Sequence, residues 1–417
     1  MTRKALFLCI LIALPVLLVV MLPRMATSLP WRLEAASTFV RLLLHPAGSV
    51  PTPSAPDVIT ATDFAVPLPT TTATAYVLHP TTTPGTAPPA FTPSPSPTAL
   101  PAVVNLPSPQ YEAQDWNNCG PATLAMYLHF YGWQGNQFDI ADKVKPTRAD
   151  RNVNIDELAA YVAQNVPGYH IRYRVAGDIN LLRSLIANQI PVIVEEGYHL
   201  EEPFWFGDDL WAGHYLLLTA YNDYTQTFTA QDSFTTADKT IRYDQLRQNW
   251  QSFNYLYMLI YPPQKADIVR TLLVADWDEE DNYINAMQRA RREININPND
   301  AIAWFNLGSA LTYFQRYGEA ASAFDQARQN GLPQRILRYR FAPFMAYFHS
   351  GRNEDLLSLT EYALKITPNS EEALLWRAWA LYRAGKKDEA LANLQKALEV
   401  SPDYIDALNA VQFIQAN

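Results

Sequence analysis

Between Pro51 and Pro109 the sequence runs through PLPTTTATA and HPTTTPGTAPPAFTPSPSPTALP, with Asp57 and Asp63 as its only charged residues at pH 7. Proline fixes φ and removes a backbone donor, and the short hydroxyl side chains between the prolines have little to bury. No core can form there. The stretch is expected to be a disordered, extended and semi-rigid linker, so whatever folds must lie on either side of it. The chain has 417 residues, room for two or three domains at about 150 residues each.

On the N-terminal side, Arg3 and Lys4 precede an uncharged run from Ala5 to Pro23, and Arg24 follows it. As a helix this run would span about 28 Å, close to the thickness of a bilayer core. It is longer than the apolar region of a signal peptide, and no A-x-A site follows at once. Residues 1–24 are therefore read as a signal anchor, a single transmembrane helix; a cleaved signal peptide and a secreted product is the alternative reading. The basic flanks are divided, with Arg3 and Lys4 before the run and Arg24, Arg32 and Arg41 after it, so charge alone does not orient it. Residues 25–109 form the juxtamembrane segment and Pro/Thr/Ser-rich linker. A spacer of this kind is most useful outside the cytoplasm, which places the folded parts extracytoplasmically on the cell membrane.

The folded remainder divides by pattern. Residues 110–265 read as helices first and an antiparallel sheet after, an α+β order. PATLAMYLHFY has Leu124, Leu128 and Tyr131 on one helical face, with Pro121 at its start and Gly132 at its stop. NIDELAAYVAQN and DINLLRSLIAN are further helices; Tyr169 to Val175, IPVIVEE, HYLLLTAY, TQTFTAQD and FNYLYMLIY read as strands. From residue 266 to 417 the pattern is helical and repeats. Trp304, Leu307, Gly308, Ala320, Phe324 and Ala327 in one stretch, and Leu374, Ala378, Leu381, Ala390, Leu394, Ala397 and Pro402 in another, occupy positions of one repeat pattern. The stretch between them is degenerate, with Arg340 at an apolar anchor position and Pro343 inside its first helix. This region resembles the tetratricopeptide repeat family, an all-α solenoid, and the resemblance implies a protein partner held by the repeats.

A net charge of −9, a pI near 5.3 and the lack of any basic run exclude phosphate-backbone binding, and with it a nucleic-acid partner. Cys9 and Cys119 are the two cysteines, too few for a disulfide framework or a structural zinc cluster, and no metal or organic cofactor is expected. A lone cysteine is often a buried small hydrophobe, so its neighbours must decide. Cys119 stands at the start of the PATLAMYL helix, where unpaired N–H groups and the helix dipole favour a thiolate, and Gly120 would admit a substrate backbone. His214 in WAGHYLLLTAY opens a strand and can serve as base. Asp232 in FTAQDS ends the next strand, placed to orient the ring. Gln114 lies just upstream and can complete an oxyanion hole with the Cys119 amide.

Together, Gln114, NNCGPATLAM, GHYLLLTAYND and AQDS resemble the C39-like peptidase family, a branch of the papain-like fold, over residues 110–262. The resemblance implies Cys119 as nucleophile, His214 as base, Asp232 as orienting acid, Gln114 as oxyanion donor and a peptide or protein substrate. Two departures stand out: Gln114 is five residues before Cys119, one fewer than expected, and Ser233 follows Asp232 where proline is frequent.

Other candidates are weaker. His129, His170, His199 and His349 sit in helices, strands or the repeats, and Asp223 falls in a turn. Glu195 and Glu196 are strand neighbours that point to opposite faces and do not make a catalytic pair. The loop EEPFWFGDDLW reads equally as a substrate wall or a packed lid. The chain is thus expected to be a membrane-anchored thiol hydrolase of the peptidase type. Two alternatives stay open: a catalytically silent papain-like module on a repeat scaffold, and an amidase or acyltransferase using the same thioester.

Overall fold

The structure is a computed structural model that describes residues 40–41, 43–44, 48–54, 100–145, 147, 152–202 and 209–417. The expected membrane helix at 1–24 and most of the expected linker lie outside the described residues. Among the described residues no helix is long and apolar enough to cross a membrane.

The first element is a surprise of the linker boundary. Residues Val103–Asn105 form strand β1, antiparallel to the end of a later strand, and Leu106 is buried. They were expected within the linker; the run Val-Val-Asn-Leu carries the apolar, β-branched side chains that a sheet edge can bury, and its backbone finds partners there. Three helices follow: α1 (Cys119–Phe130), α2 (Gln137–Val144) and α3 (Ile155–Asn165). Asn136 and Asn154 cap the last two with reciprocal capping boxes to Asp139 and Glu157. Helix α1 is buried on all sides from Gly120 to Leu128, not along one stripe, because its sequence is apolar nearly all round. The Tyr127 hydroxyl donates to the Ile260 carbonyl at 2.9 Å and accepts the Ile260 amide at 2.9 Å, locking α1 to the sheet.

The rest of this part alternates strands with two helices: β2 (His170–Arg174), α4 (Ile179–Ala187), β3 (Val192–His199), β4 (Trp211–Asn222), β5 (Thr227–Asp232), β6 (Thr236–Arg242), α5 (Tyr243–Trp250) and β7 (Tyr257–Tyr261). They form one antiparallel sheet in the order β2-β7-β3-β4-β5-β6, with β1 on β4 beyond the end of β3. Strand alternation splits the core in two. Ile193, Tyr215, Leu217 and Met258 face α1 and α3, whereas Val192, Val194, Leu216 and Leu218 face α4 and α5.

From Ala266 onward the described chain is helical: α6 (Ala266–Leu272), α7 (Glu279–Ile296), α8 (Ala301–Tyr313), α9 (Tyr317–Asn330), α10 (Ala342–His349), α11 (Asn353–Ile366), α12 (Glu371–Arg383), α13 (Lys387–Val400) and α14 (Ile405–Ala416). In the α8–α9 hairpin a Cβ on Gly308 would lie 2.7 Å from Phe324 Cε1, so only glycine permits this approach. Ala378 and Ala390 play the same small-residue role between α12 and α13, both fully buried.

The degenerate repeat differs from its expectation. Pro343 does lie in a helix, but in its first turn and not in its interior: α10 begins at Ala342. Proline lacks the N–H that a preceding turn would use and clashes with it. The residues before it, Leu332 to Phe341, are thereby released from the repeat. They cross to the sheet domain. Arg335 Nη1 donates to the Trp211 carbonyl at 3.2 Å. Arg340 Nη1 donates to the Ser252 carbonyl at 2.8 Å and to Asn306 Oδ1 at 2.8 Å. Gln334 and Asp209 exchange two bonds, at 3.1 and 2.6 Å.

Candidate active site

Asn117, at φ 52, and Asn118 turn the chain into α1. Asn118 Nδ2 donates to Gln137 Oε1 at 2.8 Å, and Lys145 Nζ donates to the Asn117 carbonyl at 2.9 Å. This turn sets Cys119 as the first residue of α1, half-buried, at the end where backbone amides lack intrahelical partners. Gly120 packs against Leu158 and Tyr215, each 3.4 Å from where its Cβ would be.

The second side chain comes from β4. His214 is 5% exposed and hydrogen-bonds on two sides. Its Nε2 lies 2.8 Å from Asp232 Oδ1, and it also bonds the Cys119 thiol. With Nε2 engaged by the carboxylate, Nδ1 is the ring nitrogen left to exchange a proton with the thiol. Asp232 comes from the end of β5 and is fully buried. Its position is over-determined. Oδ1 accepts the Phe234 amide at 2.9 Å and the Thr235 amide at 3.2 Å; Oδ2 accepts the Thr235 hydroxyl at 2.8 Å and Lys239 Nζ at 2.6 Å.

These contacts set the charges. Burial pushes the Asp232 carboxyl up, but the hydrogen bond and charge of His214, with Lys239 behind it, hold it well below the usual carboxylate range. Burial opposes the His214 imidazolium, yet bonds to Asp232 and Cys119 push its pKa up to about 10. Burial raises the Cys119 thiol, and the His214 bond and charge, with a smaller contribution from Lys145, bring it below its ordinary value. The pair therefore favours thiolate and imidazolium over thiol and imidazole.

Gln114 lines the same cleft as Cys119 and His214. Its amide donates to the Ser233 carbonyl at 2.8 Å, and its Oε1 accepts the Ser233 hydroxyl at 3.0 Å. The side-chain oxygen is thus occupied, which leaves the NH2 as the end that can donate. The structure brings Cys119, His214, Asp232 and Gln114 to one place.

Sequence reasoning missed several neighbours. Ser233, noted only as a departure, fixes the Gln114 amide. Lys239 follows Asp232 by seven residues across the β5–β6 hairpin, and its ammonium also lies 4.7 Å from the Tyr198 ring centroid; the hairpin was the signal, but β6 is too polar to read as a strand. Arg338 and Tyr339, from the segment before α10, line the same cleft as His214. Arg338 Nη2 donates to Asn117 Oδ1 at 3.0 Å. Tyr339 stacks edge-on against Trp211 at 5.7 Å and Phe253 at 5.9 Å. Nothing in a repeat pattern announces that two of its residues wall another domain's cleft.

The remaining candidates stand apart or in other roles. His129 bonds the Gln110 and Gly135 carbonyls. Asp223 accepts from Arg183 and from the Tyr243 hydroxyl, away from the cleft. Glu195 lies opposite Tyr215 and Glu196 opposite His214 on the neighbouring strand. Burial pushes Glu196 up to about 7 and pushes Glu195, which lines the cleft, well above its ordinary value. Of the EEPFWFGDDLW loop, residues 203–208 lie outside the described residues; Trp211 packs face to face with Phe253 at 5.9 Å. Among the described residues no group of three or more His, Cys, Asp or Glu could hold a metal ion.

Comparison with known proteins gives three family matches. Residues 106–258 match the Peptidase C39-like family, and residues 284–332 and 371–404 match tetratricopeptide repeats. No curated protein matches the chain. Among solved structures, a Bacillus anthracis protein described as a C39-like peptidase is 14% identical, covering 38% of this chain and 97% of that one, with a TM-score of 0.31. Xylellain, a cysteine protease from Xylella fastidiosa, is 15% identical, covering 51% and 96%, with a TM-score of 0.31. MamA from Desulfovibrio magneticus RS-1 is 15% identical, covering 37% and 82%, with a TM-score of 0.31.

Proposed function

We propose that this chain, which carries a C39-like peptidase domain over residues 106–258 followed by tetratricopeptide repeats, is a thiol peptidase anchored to the cell membrane and working outside the cytoplasm. The observation that carries the catalytic part is the buried relay: His214 bonded to Cys119 on one side and to the fully buried Asp232 on the other.

The reaction follows from those positions. The Cys119 thiolate attacks the carbonyl carbon of a peptide bond. The carbonyl oxygen gains negative charge and is met by the Cys119 backbone amide at the start of α1 and by the Gln114 NH2, which Ser233 holds turned that way. The His214 imidazolium gives its proton to the departing amine, and the C–N bond breaks to leave a thioester. His214, now neutral, takes a proton from water, which attacks the thioester and releases the acid and the thiolate. Asp232 keeps the ring's tautomer and orientation and stabilises the imidazolium. Lys239 and the three donors of the β5–β6 turn keep Asp232 ionised and fixed.

The substrate is a peptide or protein, read from the family of the domain. It enters a cleft lined in part by Arg338 and Tyr339 of the segment before α10, and the repeats recruit a protein partner. The anchor rests on the uncharged run Ala5 to Pro23, and the extracytoplasmic side on the Pro/Thr/Ser-rich stretch that follows.

The test is digestion of a peptide library by the full chain, read by mass spectrometry. New termini that vanish in Cys119→Ala and His214→Ala support the reading. A library left intact by the wild-type chain, or cut equally by the variants, counts against it.

A further inference from the structure

Residues 48–54, Gly-Ser-Val-Pro-Thr-Pro-Ser, lie against the repeat helices some 300 positions later in sequence. Arg328 of α9 donates twice to this segment, from Nε to the Pro51 carbonyl at 2.7 Å and from Nη2 to the Thr52 carbonyl at 2.9 Å. Asp355 of α11 accepts the Ser54 amide at 3.1 Å. The Tyr362 hydroxyl donates to the Gly48 carbonyl at 3.1 Å. Val50 is 4% exposed and Pro53 is buried.

The receiving side chains are themselves buried, Arg328 and Asp355 each at 3% exposure. Buried charges are tolerated only when their hydrogen-bonding capacity is used. Within the repeats, Arg328 Nη1 bonds Asp355 Oδ1 at 2.8 Å and the Tyr347 hydroxyl at 2.9 Å, and Arg352 bonds Asp355 Oδ2 at 2.8 Å. The remaining guanidinium donors turn to backbone carbonyls of the segment. The fixed fork of arginine suits two successive carbonyls.

The segment suits the site in return. Pro51 and Pro53 have no N–H to satisfy, and proline favours an extended backbone before binding, so little freedom is lost on docking. Recognition therefore runs through carbonyls, one amide and the apolar side chains at Val50 and Pro53.

We propose that the shelf centred on Arg328 and Asp355 is a receptor for extended Val-Pro-x-Pro segments, which the chain fills with its own residues 48–54. Its consequence is a change in what the linker does. With residues 48–54 on the repeats and β1 in the sheet, both ends of residues 55–99 are fixed to the folded body. Whatever precedes residue 48 is thus attached at the repeats. The length of residues 55–99 then does not set the distance between anchor and cleft.

The test uses the full chain in detergent, with a site-specific protease sequence placed between residues 55 and 99 and with Cys119→Ala throughout, so that the outcome is independent of hydrolase activity. After cleavage the fragment carrying residues 48–54 stays with the rest through gel filtration, whereas the same fragment with Val50→Asp separates. A labelled Gly-Ser-Val-Pro-Thr-Pro-Ser peptide binds the uncut Val50→Asp chain and binds the uncut wild-type chain about tenfold more weakly or worse, because the tethered segment competes at high effective concentration. Equal retention of both fragments, or no binding of the peptide to the Val50→Asp chain, overturns the proposal.

Discussion

At Cys119 and His214 the two protonation equilibria are displaced in opposite directions, and the consequence is measurable. The thiol lies below its ordinary value of 9.0 and the imidazolium persists to about 10. Between the two the ion pair exists. The profile of kcat/KM against pH is therefore expected to rise with an acid limb below 9.0 and to fall as pH passes about 10. In His214→Ala the favourable bond and charge are gone while burial remains, so the acid limb moves up and the rate falls by about 10²- to 10⁴-fold. Gln114→Ala is expected to lower kcat by about 10²- to 10³-fold with little change in KM. Ser233→Ala frees the Gln114 amide to turn and gives a smaller loss of the same kind. The Asp232 shift also carries stability. Its pKa is depressed in the folded state, so its contribution is present above about 3.8 and is lost as pH falls below that value. His214 is raised, so its contribution is complete below about 6.5 and is lost as pH rises through about 10. Asp232→Asn should cost about 3–5 kcal/mol at neutral pH, seen as a lower melting temperature, because Lys239 and His214 are left facing a neutral group. These roles were readable in part. A cysteine at a helix start and a histidine at a strand start carry local signals. For Lys239 the signal was a hairpin whose second strand is too polar to read from sequence.

Among the elements, β4 couples the two halves of the molecule. A Cβ on Gly213 would lie 2.8 Å from Phe253 Cζ and 3.0 Å from Tyr339. Gly213→Ala should cost about 1–3 kcal/mol by overpacking and displace the neighbouring His214, lowering both melting temperature and labelling of Cys119. Tyr339→Ala removes that wall and is expected to raise KM more than it lowers kcat, because Tyr339 touches no reacting atom. The apolar or periodic elements were legible: α1, α3, α4, β2, β3, β4, β5 and β7. Those missed, α2, β6 and α5, are polar, and their identity comes from caps and from pairing with β5. The irregular repeat was read as decay of a pattern. Pro343 instead starts a helix, and the residues it releases make the contacts that complete the cleft.

Taken whole, the peptidase-like domain and the repeats share buried surface through Arg335, Tyr339 and Arg340, so thermal unfolding of the full chain should show one transition by both intrinsic fluorescence and circular dichroism. Two separated transitions would contradict a shared seam. A chain ended at residue 265 would expose Trp211 and Phe253 and melt lower. Composition showed that something between residues 25 and 109 cannot form a core. It did not show that residues 48–54 and 103–105 leave that stretch to join folded surfaces, because each depends on partners distant in sequence.

The central claim is an activated thiolate, and thiol labelling tests it most directly. The full chain carrying Cys9→Ala, treated with a thiol-directed electrophile at pH 5 to 6 beside the same chain with Cys119→Ala or His214→Ala, should be labelled at Cys119 quickly, not at all without Cys119, and far more slowly without His214. Slow labelling of Cys119 at the same rate with and without His214 would contradict it.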